Sequence, residues 1–343
     1  MESSPPARPF ALFLSPALQG LRFVAATLVF IGHMGWAFPG ANGSLYFLVL
    51  SGYAVTRLFI YEWHKKNQLA IIPFLKKRWK KIIPGLVMAI VANLVLKAAI
   101  GAPIAWWHAL SMSCLVGNYY NAFLNPPASS FASFWTLSLL FQFYFFWAIC
   151  FASLFQKSDK TLKGVMLALM VGPLMLRLSL IHHGPSIFPY LYNSFETRID
   201  TLATGCLFGL LAQGKFFEQI RRWGARTGIE PFFTISALLY LGLREDSFRL
   251  TVGFTLQSLL ICLLIAQIIV LSNHRFWRWL SSPPLVYLGS LSYLFYLFHG
   301  IGKSIGHAVA PQEVIIQTIC GFLSTLAIAA LLAPWLAPSV RKA

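Results

Sequence analysis

Long apolar runs dominate the chain and recur at the length that a membrane-spanning helix needs, about 20 residues. Their periodicity is helical, and no alternating strand pattern repeats along the chain. The pattern therefore predicts an all-α integral membrane protein with ten transmembrane helices. These lie at residues 17–38, 43–61, 82–100, 131–155, 164–181, 196–213, 228–243, 250–271, 284–303 and 313–335.

Composition supports the membrane assignment. Hydrophobic residues make up 57% of the 343 residues and charged residues only 11%, whereas a soluble domain carries about 25% charged residues. So few charges cannot cover a water-facing surface. Because the stretches between the apolar runs are short, we expect a single transmembrane domain over residues 1–343, with its chemistry inside the helix bundle or at its two faces.

The basic residues predict the orientation of the chain. There are 27 Lys and Arg residues against 10 Asp and Glu, and in membrane proteins such an excess collects in cytoplasmic loops rather than indicating a nucleic-acid partner. The apolar segment 104–123 is ambiguous because it is rich in small, polar and aromatic residues. If it does not cross, most basic residues fall on one side and the opposite loops hold only Arg244 and Arg249. We therefore expect a re-entrant or interfacial segment 104–123 and two cytoplasmic termini in a plasma or inner membrane.

Two ionisable residues of the first span are candidates for function, because a charge within a membrane span costs several kcal/mol. Arg22 and His33 lie eleven residues apart, which on a helix is about three turns or 16 Å on the same face. The orientation places Arg22 near the cytoplasmic end and His33 in the far half. This spacing suits a ligand lying along the helix, and it equally suits a structural arginine and a histidine bonded to a carbonyl group.

Other spans also contain polar residues. Glu196 and Asp200 share a helix face, while Arg198 points elsewhere. Tyr293, Tyr296 and His299 recur every three residues along one predicted helix. They are candidates for function, and an interfacial aromatic belt is the alternative interpretation. The five cysteines lie in apolar stretches without a CxxC pair, so the sequence predicts neither a metal site nor a disulfide.

Six short segments follow one another along the chain. They are LQGLRFVAATLVFIGH (18–33), LYFLVLSGYAVTRL (45–58), FLKKRWKKIIP (74–84), FWTLSLLFQFYFFW (134–147), TRIDTLATG (197–205) and LGSLSYLFYLFHG (288–300). In this order they resemble motifs of the acyltransferase 3 family. The first holds the family's Arg, ten residues and a His, and the last is similar to its LGxISYxLYLxH motif.

This resemblance implies a ten-span membrane O-acyltransferase. Such enzymes move an acyl group from cytoplasmic acyl-CoA, commonly acetyl-CoA, to a hydroxyl of a glycan, a lipid-linked sugar or another small acceptor. By analogy His33 is the catalytic histidine, acting as general base, and Arg22 is its partner. We expect the coenzyme A phosphates to meet a basic group of residues, namely Arg22, Arg57, Lys77, Arg78 and Lys81.

The remaining candidates have less specific roles. Four residues could donate hydrogen bonds to the oxyanion of the reaction: Ser51, Ser138, Gln142 and Tyr144. Four others are polar residues of the matching segments: Arg198, Asp200, Tyr293 and His299.

The sequence departs from the family pattern at Leu140 and Phe141, where many members carry acidic residues. If that acid orients the histidine elsewhere, Glu196 or Asp200 could substitute here. No soluble SGNH-type extension is expected. Two alternatives to an enzyme stay open, namely a transporter or flippase for a lipid or glycan, and a catalytically silent member of the family.

Overall fold

The computed structural model describes residues 15–36, 43–124, 131–155, 159–212 and 215–336. Within these ranges the chain is helical and contains no β-strand. The two termini, predicted to be cytoplasmic, lie outside the described residues. The α-helices are α1 Pro16–His33, α2 Gly43–Lys66, α3 Ile71–Ala99, α4 Trp106–Ser113, α5 Gly117–Leu124, α6 Trp135–Leu154, α7 Asp159–Leu180, α8 Phe188–Asn193, α9 Phe195–Leu211, α10 Lys215–Gln219, α11 Glu230–Gly242, α12 Asp246–Phe248, α13 Phe254–Val270, α14 Pro283–Val309 and α15 Val314–Leu336.

Seven helical stretches in the described part of the chain are long and apolar enough to cross a membrane. They are α2, α3, α6, α14, α15 and two composite stretches, Lys160–Asn193 and Asp246–Val270. The other three predicted spans correspond to α1, α9 and α11. Helices α9 and α11 have only 17 and 13 residues, and α1 includes Gln19, Arg22 and His33 among its 18 residues, which lowers its hydropathy.

The ambiguous segment 104–123 folds into two short helices, α4 and α5, of eight residues each. Eight residues span about 12 Å, far less than the roughly 30 Å of a bilayer core. Between them Leu115 has a left-handed backbone with φ 58°, which ends the helical path. The segment therefore does not form one continuous membrane-spanning helix.

Helix α1 has a clear signal at each end. Ser15 precedes it, and the Ser15 hydroxyl accepts a hydrogen bond from the amide of Leu18 at 3.4 Å; Pro16 occupies the first helical position, where its missing N–H costs nothing. At the other end Gly35 has φ 85°, a conformation that stops an α-helix. Arg22 and His33 thus lie on one unbroken helix.

Close helix contacts position the bundle around α1 and α2. At the crossing of α2 and α9, a Cβ on Gly205 would lie 2.2 Å from the carbonyl oxygen of Val49, so only glycine permits this approach. Helix α14 packs between α1 and α15. Edge-to-face contacts of phenylalanine rings hold these three helices together, involving Phe23, Phe30, Phe295 and Phe322.

Candidate active site

A cleft with a cavity volume of about 120 Å³, partly open to solvent, lies between α1, α2, α3, α6 and α14. Each of these helices includes one of the segments that resemble acyltransferase motifs. The residues that line the cleft are Arg22, Ser44, Phe47, Leu50, Ser51, Ala54, Val55, Arg78, Lys81, Ile82, Thr136, Leu137, Leu140, Tyr144, Ser292, Tyr293 and Tyr296.

Three cations, Arg22, Arg78 and Lys81, line this cleft, and no Asp or Glu is among the described residues that do so. The Arg22 guanidinium donates to the side-chain oxygen of Gln19 at 3.3 Å, three residues earlier on α1. The Arg78 guanidinium lies over the ring of Tyr144, 5.1 Å from its centroid. A concentration of positive charge suits an anionic ligand.

The rest of the lining combines aliphatic side chains with hydroxyl groups. Tyr296 donates from its hydroxyl to the backbone carbonyl of Ser133 and lies 2.7 Å from the Thr136 hydroxyl. The Ser292 hydroxyl is buried and has no hydrogen-bond partner. Leu140 lines the cleft as well. The position where many family members carry an acid therefore faces the cleft, and here it contributes an apolar surface.

His33 lies beyond the lining of the cleft, at the last helical position of α1. Its imidazole ring packs against that of His299 on α14, with ring centroids 5.1 Å apart and planes inclined by 34°. The His299 ring is also 5.5 Å from that of Tyr296, which lines the cleft. Tyr296, His299 and His33 thus form a continuous path from the cleft to the end of α1.

No acidic side chain forms a hydrogen bond or an ion pair with His33 among the described residues. Asp200 pairs instead with the guanidinium of Arg177 at 2.7 Å. Glu196 accepts hydrogen bonds from the hydroxyls of Tyr119, at 2.8 Å, and Tyr190. Both acids that could have replaced the missing carboxylate are thus engaged elsewhere.

The structure brings only part of the predicted site together. Arg22, Ser51, Arg78, Lys81, Tyr144 and Tyr293 line the cleft, and His33 and His299 form the ring pair beyond it. The predicted residues that do not line the cleft are Arg57, Lys77, Ser138, Gln142, Arg198 and Asp200.

The structure defines the surroundings of three of these outlying residues. The Gln142 side-chain amide donates to the backbone carbonyl of Leu115 at 3.0 Å. It therefore stabilises the turn that joins α4 to α5. The Arg198 guanidinium is buried over the ring of Phe254, 3.7 Å from the centroid. The Ser138 hydroxyl is buried without a hydrogen-bond partner.

Sequence reasoning missed three polar residues of the cleft, Ser44, Thr136 and Ser292. A signal was present for Thr136 and Ser292. Thr136, Leu140 and Tyr144 recur every four residues and so share one face of α6, and Ser292 lies four residues before Tyr296 on α14. In the described part of the chain, no group of three or more His, Cys, Asp or Glu residues could hold a metal ion.

Comparison with known proteins places the chain among acyltransferases. A sequence model of the acyltransferase domain family matches residues 15–334. The O-acetyltransferase OatA of Staphylococcus aureus (strain NCTC 8325 / PS 47) is 27% identical over 308 residues, covering 83% of this chain and 50% of that protein. A putative O-acetyltransferase of Staphylococcus aureus (strain COL) is 26% identical over 317 residues, with the same coverage. The chain thus spans about half the length of these relatives. No solved structure matches.

Proposed function

Because the chain belongs to the acyltransferase 3 family, we propose that it is a membrane O-acyltransferase that takes an acyl group, most simply acetyl, from cytoplasmic acyl-CoA. The acceptor is a hydroxyl of a glycan, a lipid-linked sugar or another small molecule, and polysaccharide modification is the process it would serve. The observation that carries the proposal is the cleft, which holds three cations and leads along α14 to the His33–His299 pair.

The cations suit the donor. Coenzyme A carries several negative charges on its phosphates, and a basic cleft raises the local concentration of such a ligand. Arg22, Arg78 and Lys81 would hold those phosphates. About 16 Å separates Arg22 from His33 along α1, a length over which the extended pantetheine arm would bring the thioester to the histidine pair.

The reaction then needs one base and one oxyanion donor. A His33 nitrogen takes the proton of the acceptor hydroxyl while that oxygen attacks the thioester carbonyl carbon. The tetrahedral oxyanion collapses, the carbon–sulfur bond breaks, and the coenzyme A thiolate leaves and takes up the proton. Of the four oxyanion donors predicted from sequence, Ser51 and Tyr144 line the cleft.

In this proposal α1, α9 and α11 cross the membrane together with the seven long apolar stretches. This gives ten crossings and two cytoplasmic termini, with Arg78 and Lys81 near the cytoplasmic face. The short helices α4 and α5 then lie on the opposite side, together with His33 and His299.

The test is acetyl-CoA consumption by the purified protein in vesicles that contain candidate hydroxyl acceptors. We expect His33→Ala to lose about 10²–10⁴-fold of the turnover, the usual contribution of a general base. The matched control is His307→Ala, which removes an exposed histidine near the end of α14 and should leave turnover unchanged.

Other outcomes would identify the alternatives. Full activity of a folded His33→Ala variant would overturn the proposed role of this histidine. Movement of an acceptor across the bilayer without consumption of acetyl-CoA would identify a transporter. Binding of acetyl-CoA without turnover, with every acceptor class tested, would identify a silent member of the family.

A further inference from the structure

His33 needs a group that holds its ring in one orientation, because a general base must keep its nitrogen aimed at the proton it removes. In many catalytic sites a carboxylate has this role. Here Leu140 and Phe141 occupy the positions at which many family members carry acids, and Asp200 and Glu196 bind other partners. The orientation of His33 must therefore come from another contact.

The one ring that packs on His33 among the described residues is that of His299, at 5.1 Å between centroids. The contact is supported one helical turn away, where Phe30 on α1 meets Phe295 on α14 with ring centroids 5.9 Å apart. Two successive aromatic contacts between the same two helices fix their separation and rotation. The histidine contact is therefore a consequence of rigid helix packing.

The His299 ring is itself held in place. It is buried, with 3% of its surface exposed, and its Nδ1 is hydrogen-bonded to the backbone carbonyl of Tyr296. Since a carbonyl only accepts, Nδ1 carries the hydrogen, and in the neutral ring Nε2 has a free lone pair.

We propose that His299 is the positioning residue of this site, and that its buried ring holds the His33 imidazole by packing against it, where a carboxylate would do so by hydrogen bonding. The inference rests on the proposed function. It explains how a member without the family acids keeps an oriented base. His299 does not touch the reacting atoms and acts only through His33.

The first experiment measures kcat and KM for acetyl-CoA in two variants. His299→Ala removes the ring, and we expect kcat to fall by about 10–100-fold, as for a catalytic group displaced by roughly 1 Å, with KM for acetyl-CoA unchanged. His299→Phe keeps a flat ring without nitrogens and should retain most of kcat. A wild-type kcat in the alanine variant, or an equal loss in both variants, would overturn the proposal.

The second experiment does not depend on activity. Diethyl pyrocarbonate acylates accessible imidazoles, and mass spectrometry follows the rate at each histidine. We expect His33 to react several-fold faster in His299→Ala than in the wild type, because one ring face is uncovered, and to react at the wild-type rate in His299→Phe. His307 is the internal control. An unchanged His33 rate in the alanine variant would contradict the ring contact, whereas a faster rate without any acetyl-CoA turnover would contradict only the proposed function.

Discussion

The guanidinium of Arg177 donates to the carboxylate of Asp200 at 2.7 Å, and both side chains are fully buried. Thr255 donates its hydroxyl to the same carboxylate oxygen at 2.7 Å, and the Thr201 amide donates to the other oxygen at 2.9 Å. Arg177 also donates to the carbonyl of Thr197. This network ties α7 and α13 to α9.

Asp200→Asn should be strongly destabilising, because it leaves the Arg177 charge buried without a counter-charge. Breaking a buried ion pair costs roughly 3–5 kcal/mol, which thermal unfolding in detergent would register as a large fall in Tm. Glu218→Gln is the matched control, since the ion pair of Glu218 with Arg221 is exposed and exposed pairs contribute little. Equal Tm values for the two variants would contradict a structural role for the buried pair.

Gly205→Ala should separate α9 from α2. The added methyl group would meet the backbone carbonyl of Val49 at 2.2 Å, and backbone cannot move aside as a side chain can. Overpacking of this kind typically costs about 1–3 kcal/mol. Gly164→Ala on α7 is the control, because nothing lies within 4 Å of the new methyl group. We expect Tm to fall only for Gly205→Ala, and an unchanged Tm would contradict the close crossing.

Glu196→Gln should loosen the contact between α5 and α8. Two tyrosine hydroxyls, those of Tyr119 and Tyr190, donate to separate oxygens of the Glu196 carboxylate, and a glutamine amide offers only one oxygen as acceptor. A hydrogen bond to a charged group contributes about 1.5–3 kcal/mol.

Hydrogen exchange followed by mass spectrometry would detect this loosening as faster exchange of the α5 amides, residues 117–124. Glu313→Gln, at an exposed position before α15, should leave that exchange unchanged. If the α5 amides exchanged at the wild-type rate in Glu196→Gln, the Glu196 carboxylate would not be the group that holds α5 and α8 together.

Leu140→Glu should weaken binding of the proposed donor. A carboxylate at this cleft position would pair with the lining cations Arg22, Arg78 and Lys81 and compete with the phosphates of acyl-CoA. We expect KM for acetyl-CoA to rise about tenfold, equivalent to 1.4 kcal/mol. Leu140→Gln is the control, because glutamine has the size and polarity of glutamate but no charge. It should change KM for acetyl-CoA much less. A lower KM in Leu140→Glu would show that this cleft prefers the acid found in other family members.

Much of the architecture could be predicted because it depends on local sequence. A helix needs only the apolar periodicity of its own residues, so the predicted spans correspond to helices of the fold, and the resemblance to acyltransferases is confirmed by a family match over residues 15–334. The Arg22–His33 spacing follows from the geometry of one uninterrupted helix. The number of crossings is harder to predict, because α1, α9 and α11 are shorter or more polar than a typical span.

The partners of the polar residues were decided only by the tertiary structure. Sequence periodicity tells which side chains share a face of one helix, but it does not tell which helix lies opposite or how that helix is rotated. Asp200 could thus be assigned to a polar face without its partner Arg177 being identified. In the same way His33 and His299, 266 positions apart in the chain, became neighbours because aromatic packing aligns α14 with α1.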